Sequence, residues 1–376
     1  MEGLAVTGAS LREVYGGRRV LVTGHTGFKG SWLALWLRSL GAEVTGLALP
    51  PETTPNLFES ARVAESCRNE EGDIAELATV ERVLARAAPE FIFHLAAQAL
   101  VRRSYRDPLG TIRSNILGTA HVLEAVRRAG RPACVVVVSS DKCYENREWW
   151  QAYREGDSLG GHDVYSMSKG ATELVAASYR RSFFPPERLA EHGVAVATAR
   201  AGNVIGGGDW AEDRIVPDMV RALAAREPVR VRSPDAVRPW QHVLEPLSGY
   251  LALGAHLAGR GALSREDACD AWNFGPLPSG ARRVREVVEL LISAWGEGSW
   301  VHAPDPAAPK EAGLLRLAID RAVARLGWTP RWDLETAVAR TAWWYRSHAR
   351  GAGTDALRAL ALEQIRAYEE TSRAGG

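Results

Sequence analysis

Apolar residues in the first half of the chain follow two rhythms. Short, mainly apolar runs at 20–22, 44–49, 91–95, 135–138 and 194–199 have the length and composition of strands buried on both faces. Between them, residues 31–40, 76–87, 111–129 and 165–183 carry apolar positions at helical spacing. This alternation predicts an α/β protein with a parallel sheet and right-handed crossovers. Such a sheet gathers its ligand-binding loops at the carboxyl ends of its strands.

After Gly202 the pattern loosens. Helices are predicted over 217–226, 246–260 and 284–295, and a short strand over 229–232. Asp320 caps a further helix that runs to Leu326 and stops at Gly327. These segments predict a smaller lobe that closes over the sheet edge. The expected division is 18–202 for the main domain, 203–345 for the lobe and 346–376 for a tail. In that tail, residues 356–365 alternate apolar and charged side chains, fitting either a helix at a subunit contact or a solvated end. No low-complexity linker intervenes, so both lobes are expected to fold as one unit.

Composition narrows the classes. The chain has 376 residues, 46% hydrophobic and 24% charged, with a net charge of +1. That near-neutral balance gives no general case for nucleic acid or an acidic membrane as partner. No apolar run approaches the roughly 18 residues of a membrane helix, and the first 17 residues lack the regions of a signal peptide, which favours the cytoplasm. Cys67, Cys134, Cys143 and Cys269 form no CxxC pair, so no metal is expected.

Between the first strand and first helix stands Gly24-His-Thr-Gly27-Phe-Lys-Gly30. A strand that turns sharply into a helix offers backbone N–H groups to a pyrophosphate, and side chains there would block the approach. The second strand, however, ends in Leu49-Pro50-Pro51 without the acid that normally holds an adenosine ribose; Glu52 lies past both prolines. No base stands in for it, so these residues do not separate NAD from NADP. Asp73 is placed either against adenine or at the start of the next helix. Lys29 is set on either the helix surface or a phosphate.

The valine run ends in Ser139-Ser140-Asp141-Lys142, at the rim of the sheet. Tyr165 and Lys169 lie four apart and share one helix face. A phenol near an ammonium is expected to lose its proton more readily. Ser140, Tyr165 and Lys169 therefore suit oxidation of an alcohol. Asp141 and Lys142 add an acid and a base beside it, provided that burial keeps one protonated and leaves the other neutral. Their structural alternative is a salt bridge at the loop.

The ordered set Gly24-x-x-Gly27-x-x-Gly30, His94-Leu-Ala-Ala-Gln98, Asn115, Ser140, Tyr165 and Lys169 resembles the extended short-chain dehydrogenase/reductases, the NAD-dependent epimerase/dehydratase family. Segments 139–144, 146–149, 200–210 and 238–249 resemble the nucleotide-sugar 4,6-dehydratases within it that take CDP-glucose. The resemblance spans about 20–332. It implies a Rossmann-type doubly wound parallel sheet with a smaller C-terminal substrate-binding lobe. It also implies a hydro-lyase that converts CDP-glucose to CDP-4-keto-6-deoxyglucose and water, for the deoxysugars of lipopolysaccharide O-antigen. NAD is the implied cofactor, and a homodimer or homotetramer the implied assembly.

By the same resemblance, Gly24, Thr26, Gly27, Phe28, Lys29, Gly30, Asp73, Ile74, Leu95, Ala96, Ala97, Asn115, Tyr165 and Lys169 meet the cofactor. Asn203, Arg214, Arg238 and His242 would meet the nucleotide sugar, with Arg200 either beside them or in an ion pair behind the sheet. Ser140, Asp141, Lys142, Tyr165 and Lys169 would be catalytic. One departure is plain: related dehydratases carry Asp-Glu after the Ser/Thr, whereas here Asp141 is followed by Lys142. A 4-epimerase of the same fold would need no elimination pair, and a regulatory dinucleotide-binding protein would need no Tyr-x-x-x-Lys.

Overall fold

Seven parallel strands form the central sheet of the computed structural model, which describes residues 10–277, 280–305 and 314–374. They are β1 (Arg19–Thr23), β2 (Glu43–Ala48), β3 (Arg68–Glu71), β4 (Phe91–His94), β5 (Ala133–Val138), β6 (Val194–Ala201) and β7 (Ala271–Phe274). Their spatial order is β7-β6-β5-β4-β1-β2-β3. The order reverses between β1 and β4, and β1 pairs both neighbours, with Thr23 opposite Leu47 and His94. This switch point opens a crevice at the carboxyl ends of the strands.

Within each apolar run, alternate residues feed opposite layers. Val20, Val22, Phe91, Phe93, Val136 and Val138 join one core, and Leu21, Ile92, Val135 and Val137 join the other. The main helices are α1 (Phe28–Ser39), α2 (Leu77–Ala87), α3 (Gly118–Ala129), α4 (Val164–Ser182), α5 (Ile215–Ala224), α6 (Leu244–Leu257), α7 (Val284–Trp295), α8 (Leu334–Ala349) and α9 (Thr354–Ala374). The long helix expected over 111–129 is instead Pro108–Ile112, a wider turn at Arg113–Leu117, and α3. The segment expected to be capped by Asp320 is a wide turn, Ala322–Leu326, closed by a left-handed Gly327.

The loosened second half returns to the sheet. All residues of α6 are buried, and α6 packs against β5 and β6. Strand β7 then joins the edge beside β6. The tail packs within its own chain: Leu357, Ala361, Ile365 and Tyr368 of α9 are buried, and α9 rests on α1 and α8. No helix among the described residues is long and apolar enough to cross a membrane.

Candidate active site

The rim of β1, β4, β5 and β6 and the segments after β6 enclose a cavity of about 1600 Å³. Its dinucleotide end is built by the glycine loop. Gly24 has φ of 76°, and a Cβ there would lie 2.7 Å from the Ala96 nitrogen. Only glycine lets the β1 and β4 loops approach so closely. Gly27 stands at the N-cap of α1 without a side chain over the first N–H groups. This cradle fits the pyrophosphate of a dinucleotide. Gly24, Thr26, Gly27, Phe28, Lys29, Gly30, Asp73, Ile74, Leu95, Ala96 and Ala97 all line the cavity.

Polar pins fix this floor. The Thr23 hydroxyl lies 2.7 Å from His94 Nδ1, and the Ala96 N–H donates to it at 3.2 Å. Burial holds the His94 pKa down to about 3, so the ring serves as a neutral hydrogen-bonding group. His25 is a structural hydrogen bonder, with Nε2 2.6 Å from Asn69 Oδ1. Asp73 accepts from the Ala75 N–H at 2.8 Å and pairs with Arg113 at 3.2 Å, so it shapes the turn into α2 while still facing the cavity. Asn115 departs from its expected place. It is buried outside the cavity lining, accepts from the Gln98 N–H at 2.7 Å and donates to Ser168 at 2.8 Å. It braces the β4 loop against α4.

The reactive groups converge from two elements. Asp163 caps α4 by accepting from the Ser166 N–H at 2.9 Å, and the helix places Tyr165 and Lys169 on the cavity wall. Lys169 Nζ lies 6.0 Å from the Tyr165 ring centroid. Burial drives both away from their charged forms: Lys169 falls to about 8 and Tyr165 rises to about 12. The protein alone thus reverses the expected lowering of the Tyr165 pKa, because desolvation, with Asp141 nearby, outweighs the charge of Arg214. Hydrogen bonding with Ser140 opposes the rise.

The second element is the short Asp141–Cys143 turn after β5. Ser140 caps it, accepting from the Lys142 N–H at 3.2 Å and donating to Asp141 Oδ1 at 2.9 Å. Asp141 is buried, and its pKa is raised by desolvation despite Lys142, Ser140, Arg238 and Lys29 nearby. Burial thus disfavours its carboxylate form. Lys142 is half-buried and lines the cavity.

Asn203, Arg214 and Arg238 also line the cavity. Arg214 is held by Asp209 at 2.8 Å, and Arg238 donates to its own Val237 carbonyl at 3.0 Å. His242 does not join them. It is fully buried outside the cavity lining, edge-on to Trp32 and Trp332, with its pKa depressed to about 3 by burial. Its short strand, Gln241–His242, pairs with Val204–Ile205 and carries the ring into the core. Arg200 forms a buried pair with Glu173 at 2.8 Å, outside the cavity lining. Trp240 is packed, its Nε1 donating to the Arg282 carbonyl at 3.2 Å.

Two features escape sequence patterns. Lys29 crosses from the glycine loop toward the reactive groups, its Nζ 3.4 Å from the Tyr250 hydroxyl. Desolvation, Arg214 and Lys169 lower its pKa to about 7. Gly202 faces the Asp141 carboxyl: a Cβ there would lie 2.9 Å from Oδ2. Only the fold, which sets the end of β6 beside the β5 turn, reveals that approach.

A Rossmann sheet with a Tyr-Lys pair beside an acid and an amine defines a dinucleotide-dependent enzyme equipped for more than oxidation. Residues 21–341 match the family described as GDP-mannose 4,6 dehydratase. A CDP-glucose 4,6-dehydratase of Salmonella typhimurium is 47% identical over 336 residues, covering 89% of this chain and 92% of the relative. A dTDP-glucose 4,6-dehydratase of Streptomyces griseus is 30% identical over 342 residues, 88% and 94% of the two chains. Among solved structures, MoeE5 in complex with UDP-glucuronic acid and NAD superposes with a TM-score of 0.70 at 27% identity, covering 88% of this chain and 99% of that one. The chain belongs to this nucleotide-sugar 4,6-dehydratase family.

Proposed function

We propose that the protein is a cytoplasmic, NAD-dependent hydro-lyase that converts CDP-glucose to CDP-4-keto-6-deoxyglucose and water. The observation that carries the reading is the Asp141–Cys143 turn set beside Tyr165 and Lys169 at one rim. The likeness to the Salmonella CDP-glucose enzyme supports the nucleotide. NAD, when bound, supplies a hydride acceptor for carbon 4 and a hydride donor for carbon 6.

Tyr165 takes the carbon 4 hydroxyl proton, with Ser140 sharing the hydrogen bond. Lys169 and the positive charge of the cofactor favour its phenolate. The ketone at carbon 4 then acidifies the carbon 5 proton, for which Lys142 is the base. Asp141 gives its proton to the departing carbon 6 hydroxyl, which leaves as water, and Lys142 returns its proton to carbon 5 once carbon 6 is reduced. Arg214 and Arg238 supply guanidinium forks for the diphosphate, with Asn203 beside them.

Leu109, Leu117 and Leu174, on helical segments that flank α4 or belong to it, are 76%, 45% and 60% exposed. These apolar residues support a homo-oligomer.

The test is incubation with CDP-glucose, dTDP-glucose and GDP-mannose, following the 4-keto product by its alkaline absorbance. Product from CDP-glucose is expected. Product only from another sugar nucleotide would overturn the substrate assignment.

A further inference from the structure

We propose that Glu173 and Arg200 are positioning residues. Their ion pair brackets the Asp141–Cys143 turn at both ends and ties it to the helix that carries Tyr165 and Lys169. The proposal rests on the dehydratase reading of this site and adds to it the means by which the elimination pair is aimed.

Glu173 lies on α4, one helical turn beyond Lys169 and two beyond Tyr165. Its side chain and that of Arg200 are each 3% exposed, and neither residue lines the cavity. Glu173 Oε1 accepts from the Ser139 hydroxyl. Its Oε2 accepts from Thr198 at 2.6 Å and from Arg200 Nη2 at 2.8 Å. Arg200 Nη1 donates to the Tyr144 hydroxyl at 2.8 Å and to the Glu155 carbonyl at 3.0 Å. The Tyr144 hydroxyl in turn donates to Asn273 Oδ1 at 2.7 Å.

Ser139 immediately precedes the turn and its cap, and Tyr144 immediately follows it. Thus one carboxylate holds the entrance of the loop, and its guanidinium partner holds the exit. A buried ion pair adds little net stability over an apolar replacement, because both charges lose their water. What it supplies here is fixed geometry. Asp141 and Lys142 must address carbons 6 and 5 while Tyr165 addresses carbon 4 of the same sugar, and small misplacements in such a constellation slow reactions steeply. The bracket sets one catalytic element against the other.

The experiment uses the full chain loaded with NAD and compares wild type with Ser139→Ala, Tyr144→Phe and Glu173→Gln. The first two remove one hydroxyl each and leave the ion pair intact, so they keep the test open if Glu173→Gln does not fold. With CDP-glucose, Ser139→Ala and Tyr144→Phe are expected to reduce NAD at close to the wild-type rate. They should form the 4-keto-6-deoxy product about 10-fold more slowly, so that NADH accumulates. Glu173→Gln, if folded, should show a larger split. Amide hydrogen exchange at 141–144 should quicken in the same variants.

Equal falls in NAD reduction and product would indicate a general structural role and overturn the proposal. Wild-type rates and exchange in both hydroxyl variants would overturn it too. Failure of the dehydratase reading appears in the wild type, as absence of the 4-keto-6-deoxy product; failure of the bracket appears only in the variants.

Discussion

The proposed oxidation pair and the proposed elimination pair share one rim but are held by unlike elements. Tyr165 and Lys169 sit on the 19-residue α4, whose periodicity alone sets them on one face. Asp141 and Lys142 sit on a three-residue turn, whose shape depends on the Ser140 cap, the space left by Gly202 and contacts at its ends. A helix stores geometry locally, whereas a short turn borrows it from neighbours. The two halves of the reaction should therefore fail separately.

The largest separation is expected at Tyr165. Tyr165→Phe removes the proton acceptor for the first step and should cut both NAD reduction and product by about 10²–10⁴-fold. Stopped-flow absorbance and product analysis would read both, and surviving product would assign the first proton elsewhere. Lys142→Met should lower product by about 10²-fold or more while carbon 4 oxidation continues. If that variant dehydrates at a near-normal rate, Lys142 is not the base. Gly202→Ala should act more mildly, because its Cβ would crowd Asp141 Oδ2 and Pro239. A fall of about 10-fold in elimination with oxidation retained is the expected signature, since misplacement alone is at work.

The smallest effect concerns stability. Lys169 falls from 10.5 to about 8 in the folded protein through burial. The unfolded chain thus binds the proton more tightly. A penalty is fully present below about pH 8, shrinks as pH rises and vanishes above about 10.5. Lys169→Met should stabilise the fold at pH 7 by on the order of 1–3 kcal/mol, with the gain fading toward pH 10, although oxidation is lost. Thermal midpoints across pH would measure it. A gain that does not change with pH would mean that packing, not charge, sets the difference.

What the sequence disclosed follows the physics of each element. The five apolar runs are legible because parallel strands buried on both faces need unbroken hydrophobicity. The edge strand β3, Arg-Asn-Glu-Glu, is polar and leaves no such trace. Strand β7 is a lone apolar group within a loosened region, and only its pairing to β6 gives it meaning. At the site, glycine spacing and the Tyr-Lys interval are local and were readable. For His242 the resembling segment Arg-Pro-Trp-Gln-His suggests a nucleotide contact, whereas pairing of its strand with Val204–Ile205 buries the ring. Lys29 was ambiguous because helical position does not say which way a long side chain reaches. The bracket of Glu173 and Arg200 joins residues on α4 and β6, and no spacing rule connects them.

The docking of α9 bears on how the molecule is made. Trp36 of α1 donates to Glu369 at 2.7 Å, and Arg358 donates to the carbonyls of Ala61 and Arg62 at 3.0 and 2.7 Å. The helix that begins at the pyrophosphate cradle is therefore completed by the last helix of the chain. During synthesis the amino-terminal strands emerge before α9, so the outer face of α1 stays uncovered until that helix follows. Loss of α9 would thus strip a helix that lies some three hundred residues earlier in the sequence.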